Sequence, residues 1–399
     1  MVRKKKQRKS MYIDYGILIP YLFLSIIGII MVYSATSYNL VMAGLPESSA
    51  AVKQGIFFVI GLVLVGLIYK MKTSFLKNKK LIMTAVVSIS LLLVLTLIFA
   101  EEVKGARAWL SIGPIQIQPA EFLKIILIWF LADVMSTKQQ QIVSNFYEAM
   151  KRPLIIVGML IFLVLIQPDT GGAAILVLMV SIMLLASGIS YWYGILFAGG
   201  GIALSSLVIE AIVLSKGKIF PKKMQYVYKR FETFRNPFGD AYGDGHQMIN
   251  SYYAMFNGGL FGLGLGNSIQ KKGFLPEAQN DFIFSIVVEE LGVIAAIFIL
   301  LVLLFLILRI MMIGIKSNDT FNSLICIGFA GLLLIQTFVN VGGITGIIPL
   351  TGVTFPFVSQ GGSSLLTLSI GIGFVLNIRA DELKQRRERQ EQVVVPMHR

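Results

Sequence analysis

The sequence is poor in the side chains from which most metal and redox sites are built: one cysteine, Cys326, and two histidines, His246 and His398, in 399 residues. A lone cysteine inside an apolar stretch excludes a disulfide framework and a cysteine metal site. His398 lies in a charged tail, which argues against a zinc site built from several imidazoles. Any metal chemistry would rest on oxygen ligands. Charge is scarce too, at 14% of residues, against 56% hydrophobic. A soluble fold of this length has too little interior for so much apolar surface, so a bilayer must take the excess. No convincing small-residue cleavage site follows the first apolar run, Ile17 to Tyr33, which is read as an uncleaved first span. Nor is there an internal repeat of the kind that marks many transporters.

What is present is a series of apolar runs near the roughly 20 residues that a spanning helix needs. They predict an all-α polytopic membrane protein of about ten transmembrane helices, near 16–38, 55–70, 81–99, 118–135, 154–167, 172–188, 190–214, 280–311, 320–344 and 360–379. An even number puts both termini on one side. Arg3, Lys4, Lys5, Lys6, Arg8 and Lys9 make that side cytoplasmic by the positive-inside rule. The next inside loops carry Lys70, Lys72, Lys77, Lys79 and Lys80, then Lys138, Lys151 and Arg152, then Arg309 and Lys316, while short outside loops hold only Lys53, Lys104 and Arg107. The organisation expected is a basic N-terminus over 1–15, a membrane domain over 16–379 and a charged cytoplasmic tail over 380–399.

One large extracytoplasmic loop, about 215–279 between the seventh and eighth spans, breaks the charge pattern, and long loops are exempt from it. Its cations, Lys216, Lys218, Lys222, Lys223, Lys229, Arg230, Arg235, Lys271 and Lys272, outnumber Glu232, Asp240, Asp244 and Glu277. The net charge of +14 is thereby spread over loops and tails, so nucleic acid is not expected as a partner. The loop suits an anionic substrate, or adhesion to anionic headgroups.

Ionisable groups inside apolar spans are costly and therefore candidates for function. In QPAEFLK, Glu121 and Lys124 sit three apart on one helix face and can pair, as a structural ion pair or as part of a site. In LPEAQNDFIFSIVVEELG, Glu277 precedes a span and Asp281 stands at its start, either as a helix N-cap or as a carboxylate able to deprotonate an incoming hydroxyl. Glu289 and Glu290 lie deeper and are expected to bond to neighbouring helices. In KGARAWLSIG, Arg107 and Trp109 make either an interfacial anchor or a clamp for a diphosphate. The tight turn QPDTGGA offers Gln167, Asp169 and Thr170 to the same cavity. Irregular backbone in GIIPLTGVTFPFVSQGGSS, with Ser359, Gln360 and Ser363, is expected to shape a pocket. The glycine-rich GGLFGLGLGNS is no dinucleotide fingerprint and reads as a phosphate nest, a re-entrant element or flexible loop.

Taken together and in this order, these motifs resemble the SEDS family of bacterial cell-wall proteins, over nearly the whole chain. The PLTGVTFPF run and the basic termini look more like its FtsW members of Gram-positive bacteria than like RodA. The resemblance implies a ten-helix fold in the bacterial cytoplasmic membrane and peptidoglycan glycosyltransferase activity on lipid II and undecaprenyl-diphosphate-linked glycan, for division or elongation. It also implies a class B penicillin-binding protein as partner, among other divisome or elongasome membrane proteins. Asp281 matches the family's essential aspartate, Glu121 and Lys124 its intramembrane pair, and Arg107 and Trp109 its GAR-x-W loop. Ala108 departs from it, standing where a basic or polar residue is expected. On this reading Asp281 is the general base, and Arg107, Lys124 and the basic loop meet the charge of the leaving diphosphate. No resident cofactor is expected, although a divalent cation such as Mg or Mn could bridge the diphosphate. The competing classes are a lipid II flippase and a non-catalytic scaffold for the transpeptidase.

Overall fold

A computed structural model describes residues 9–102, 107–113, 115–189, 192, 225–243 and 245–394. Its longer helices are α1 (Tyr15–Met42), α2 (Ser49–Lys70), α3 (Lys79–Phe99), α4 (Pro119–Thr137), α5 (Phe146–Ile166), α6 (Thr170–Ala186), α7 (Gln225–Arg235), α8 (His246–Gly258), α9 (Ile283–Ile315), α10 (Thr320–Ile344) and α11 (Gly362–Val394). Nine of the ten expected spans fall on these helices, and the seventh, expected over 190–214, lies outside the described residues. Among the described residues, seven helices are long and apolar enough to cross a membrane by length and composition. Helix α6 is shorter, and α4 carries Glu121, Lys124 and Asp133 within its 19 residues. The ends of the spans differ from expectation where proline was read as punctuation. Helix α5 starts at its cap, Asn145, which accepts from the Glu148 N–H at 3.3 Å, and runs through Pro153. Helix α11 carries the last span unbroken into the charged tail. One short antiparallel hairpin, β1 (Leu110–Ile112) with β2 (Ile115–Ile117), pairs Leu110 with Ile117.

Helices α10 and α11 form the centre, α10 against α4, α6 and α9, and α11 along α2 and α4. The least apolar of the seven candidate spans is the most buried, with 83% of its span window inside for α11 and 17% for the peripheral α2. Lipid makes no distinction between a leucine facing tails and one facing protein, so the bundle interior takes small and polar residues instead. At one end both terminal segments meet. Lys9 pairs with Asp381 at 2.9 Å, and Asp14 accepts from Arg309 at 2.8 Å and from Arg379 at 3.3 Å.

Helix α9 is broken once, at Gly292 (φ 83°, ψ 166°). The glycine-rich loop fills the break: the N–H groups of Leu263 and Gly264 donate to Glu289 O and Glu290 O, each at 2.9 Å, and Gly259 O accepts from Val293 N at 2.9 Å. A Cβ on Gly292 would stand 2.4 Å from Leu260 O, so neither the dihedrals nor the space admit a side chain there. GGLFGLGLGNS is neither a flexible loop nor a phosphate nest but an irregular segment packed against α9. Its central N–H groups are consumed by helix carbonyls and do not form a phosphate nest. Glu289 and Glu290 were expected to bond to neighbouring helices; Glu290 does so through Ser34 of α1, whereas most of the Glu289 bonds go to the loop that follows α8. Glu289 accepts from the Ser268 hydroxyl, from Ile269 N at 3.1 Å and from Asn257 Nδ2 at 3.3 Å. Glu290 accepts from Ser34 Oγ and Lys271 Nζ, each at 2.7 Å.

Gly292→Ala is therefore expected to destabilise the fold by about 2 kcal/mol or more, read as a lower thermal unfolding midpoint in detergent. Gly158→Ala, at a helical position with open space around it, is the control expected to leave the midpoint unchanged.

Candidate active site

The end of the bundle opposite the two termini encloses a cavity of about 1170 Å³. Helix starts build most of its wall, because a chain entering a helix presents its first side chains and its irregular approach on one side. From α2 come Lys53 and Gln54, from the hairpin approach Trp109, from α4 Gln118, Glu121 and Lys124, and from the α5–α6 turn Asp169 and Thr170. Helix α7 adds Lys229 and Arg230, the approach to α9 adds Glu277, Asn280 and Asp281, and the approach to α11 adds residues 350–354 and 360–364.

Hydrogen bonds tie these elements to each other. Gln118 Nε2 donates to Asp169 Oδ2 at 3.1 Å, its backbone N–H to Ser363 Oγ at 3.0 Å, and Asp169 Oδ1 caps α6 through Gly172 N at 2.8 Å. Gln54 bridges the α11 approach, donating to Ser359 O at 3.2 Å and accepting from Gly361 N at 3.3 Å. Lys124 and Glu121 pair at 2.6 Å, the lysine 3% exposed. Burial pushes the Asp169 carboxyl, in the turn between two spans, above the ordinary carboxylate range, while the Gly172 N–H and the Lys124 charge pull it back.

Asp281 is held through its backbone. Helix α9 begins at Ile283 with Phe282 at the cap, so Asp281 lies one residue ahead of the cap position and the N-cap reading does not hold. Its carbonyl accepts from Asn340 Nδ2 at 2.7 Å, a nitrogen shared with Val353 O at 2.7 Å, and Ser359 Oγ donates to Asn280 O at 2.7 Å. A Cβ on Gly352 would meet Asp281 Oδ2 at 3.3 Å and Arg230 Nη2 at 3.6 Å, so carboxylate and guanidinium converge on one bare glycine. Glu277, its carboxylate accepting from Asn280 Nδ2 at 2.5 Å, is held in the left-handed region at φ 59°, a conformation that costs a non-glycine residue about 1 kcal/mol or more.

Nine of the twelve residues singled out in the sequence thus line one cavity: Asp281, Trp109, Glu121, Lys124, Asp169, Thr170, Glu277, Gln360 and Ser363. Three do not. Gln167 is fully buried and turned to α3, donating to Leu93 O at 3.0 Å. Ser359 supports the wall from behind, through Asn280 O and Phe355 N. Arg107 is half exposed and lies 3.9 Å from Glu102. Its neighbour Ala108 is buried against the cavity, at the place where a larger polar residue was expected. Gln54, Gln118 and Asn340 were missed. Of these Asn340 carried a usable signal, as an amide inside an apolar span.

A sequence profile of the FtsW/RodA/SpoVE family, described as cell cycle protein, matches residues 16–384. The chain belongs to that family. A "probable peptidoglycan glycosyltransferase FtsW" of Lactococcus lactis is 46% identical to it, over 96% of each chain. Its counterpart in Enterococcus hirae is 39% identical over 96% of each, and stage V sporulation protein E of Bacillus subtilis is 36% identical over 92% of this chain and 96% of the relative. Among solved structures, a chain of a peptidoglycan synthase complex that coordinates polymerization and crosslinking superposes with a TM-score of 0.73, covering 92% of this chain and 98% of that one at 25% identity. Thermus thermophilus RodA shares the fold, with a TM-score of 0.67 at 24% identity. The resemblance read from the motifs is borne out, and so is the polytopic helical fold of this FtsW/RodA/SpoVE member.

Among the described residues no group of three His, Cys, Asp or Glu side chains is placed to hold an ion. Glu121 is occupied by Lys124, and Asp169 by Gln118 and Gly172. Among the described residues, Glu121 and Asp169 are thus committed to other partners and do not suit a resident divalent cation.

Leaving either member of the buried pair alone strands a charge, which costs about 3–5 kcal/mol, whereas replacing both by apolar groups is close to neutral. Lys124→Met and Glu121→Leu should each lower the unfolding midpoint strongly, and the double variant should recover most of the loss. Additive losses would show that the two charges are not coupled.

Proposed function

We propose that this chain polymerises lipid II into glycan strands at the extracytoplasmic face of the bacterial cytoplasmic membrane, in an FtsW-like division role with a class B penicillin-binding protein as partner. The observation that carries the reading is Asp281 on the wall of the cavity, beside Arg230 and at the end opposite both termini. Peptidoglycan glycosyltransferase is the activity in the names of the FtsW relatives. The SEDS resemblance supplies the lipid II substrate and the transpeptidase partner, and the partner reading is supported by the neighbour that works within a synthase complex. The positive-inside pattern turns the two termini to the cytoplasm, and with them the Lys9, Arg309 and Arg379 cluster.

The reaction joins the acceptor sugar's hydroxyl oxygen to the donor's anomeric carbon as the bond from that carbon to the diphosphate oxygen breaks. The hydroxyl proton passes to the Asp281 carboxylate, the electron pair leaves with undecaprenyl diphosphate, and the anomeric centre inverts. Lys53, Lys124, Lys229 and Arg230 stand on the cavity wall to meet the charge that develops on the leaving group. Arg107, next in sequence to the cavity-lining Ala108 and Trp109, is assigned by the family resemblance to the diphosphate as it enters.

Purified protein with its partner, given lipid II in detergent, should elongate glycan, and Asp281→Asn should lower the rate by at least about 100-fold while the variant keeps its fold and its partner. A folded variant working at the parent rate would remove Asp281 from the chemistry. A parent that makes no polymer without two compartments would turn the reading to a flippase, and one that only supports its partner to a scaffold.

A further inference from the structure

Two buried or half-buried ionic clusters bracket the apolar part of the bundle. At the end near the termini, Asp14 of α1 meets Arg309 of α9. Toward the cavity, Ser34 of α1 meets Glu290 of α9 and Lys271. Asp14 to Ser34 is 20 residues, and at 1.5 Å per residue this comes to about 30 Å, the thickness of a bilayer's hydrocarbon; their partners Arg309 and Glu290 stand at the same two levels. Large apolar side chains of α9 are exposed from Ile294 to Ile315, and none is between Ile283 and Val293. On α1 the exposed Tyr33 and Tyr38 flank Ser34, as tyrosines do at the headgroup level. On α9 the boundary of the hydrocarbon on the cavity side therefore lies near Glu290, level with Ser34, while the exposed Val41, Met42 and Leu45 carry the apolar surface of α1 further.

The glycine-rich element sits at this boundary. Leu260 O accepts from Ile294 N at 3.3 Å, which fixes Leu260 beside the first lipid-facing residue of α9. Around it Phe256 is 84% and Phe261 82% exposed, with Leu260 and Leu265 also open. An aqueous surface offers no reason to present two phenylalanines and two leucines at the level where the acyl chains begin. We propose that Phe256–Leu265 is an interfacial anchor, its Phe256, Leu260 and Phe261 side chains set among the acyl chains of the leaflet on the cavity side. Helix α8 leads from this anchor to Gln247 and Met248 on the cavity wall. The anchor thereby sets the height of the cavity above the hydrocarbon, where the head group of a lipid-linked ligand lies.

The single cysteine, Cys326, is buried, and Cys326→Ala gives a background for labelling. In lipid nanodiscs, an environment-sensitive fluorophore on Phe261→Cys is compared with one on Tyr242→Cys, whose native side chain is 97% exposed and borders a second surface pocket. Phosphatidylcholine brominated high on its acyl chains should quench the label at 261 several-fold more than aqueous iodide does, and the order should reverse at 242. Quenching of 261 by iodide as strong as at 242 overturns the proposal, and so does protection from both reagents, which would mean a second copy or another protein covers the patch. Phe256→Cys and Leu260→Cys repeat the measurement should the first variant fail to fold. No activity enters the readout, so it stands or falls apart from the polymerase reading.

Discussion

Two adjacent carboxylates, Glu289 and Glu290, are buried in a helix that crosses the membrane, and much of the cavity depends on how they are neutralised. An ionised carboxylate taken out of water costs several kcal/mol unless charges and hydrogen-bond donors replace its hydration. Here the donors come from one continuous piece of chain, Asn257 to Lys271, together with Ser34 of α1. That piece is drawn into the break at Gly292, whose freed carbonyls it also satisfies. The chain between α8 and α9 is therefore not free to choose its path. Its two ends deliver Gln247 and Met248 on one side, and Glu277 through Asp281 on the other, to the same cavity. A charge cluster some way from the candidate chemistry thus holds two of the cavity's walls in register.

The interior of the bundle repeats this logic at lower charge. Asn340 holds the carbonyls of Asp281 and Val353, Asn377 takes those of Ile68 and Met71, and Tyr21 meets Ser369 across α1 and α11. Where apolar contact with lipid is as good as apolar contact with protein, a buried amide or hydroxyl is what specifies which helix lies against which. The broken approaches to α9 and α11 are stabilised in the same way. Their irregular backbone is tolerated at this depth because side chains such as Gln54 and Ser359 supply the partners that water would otherwise give.

Spans were legible because lipid imposes a length and a composition on each helix. The cavity was legible in part for a related reason. Polar residues at the ends of apolar runs, such as Asp169, Glu121 and Asp281, have few places to go except a shared aqueous recess. Direction was not legible. Gln167 stands one residue from Pro168 and two from Asp169 in the sequence, yet its side chain faces α3 and theirs the cavity, since the turn between α5 and α6 reverses the wall that successive residues see. The role of Gly292 was hidden as well, because a glycine within a helical run carries no mark of the partner segment that needs its missing side chain. Nor does periodicity reveal Gln54 or Gln118, whose importance lies in bridging segments far apart in the chain.

The cavity's charges are nearly balanced, with Lys53, Lys124, Lys229 and Arg230 against Glu121, Asp169, Glu277 and Asp281. For a transfer that releases a diphosphate lipid, this balance has a physical consequence. A recess lined by cations alone would hold substrate, transition state and released diphosphate about equally, and uniform binding does not accelerate a chemical step. Acids tied to specific partners leave a cation's attraction local, so it acts where negative charge grows and falls away once the product shifts. Glu121 is such an acid, fixed on Lys124, and Asp169 is another, fixed on Gln118 and Gly172. The backbone carbonyl of Asp281 is anchored to Asn340 of α10, which helps to set where its carboxylate stands on the cavity wall.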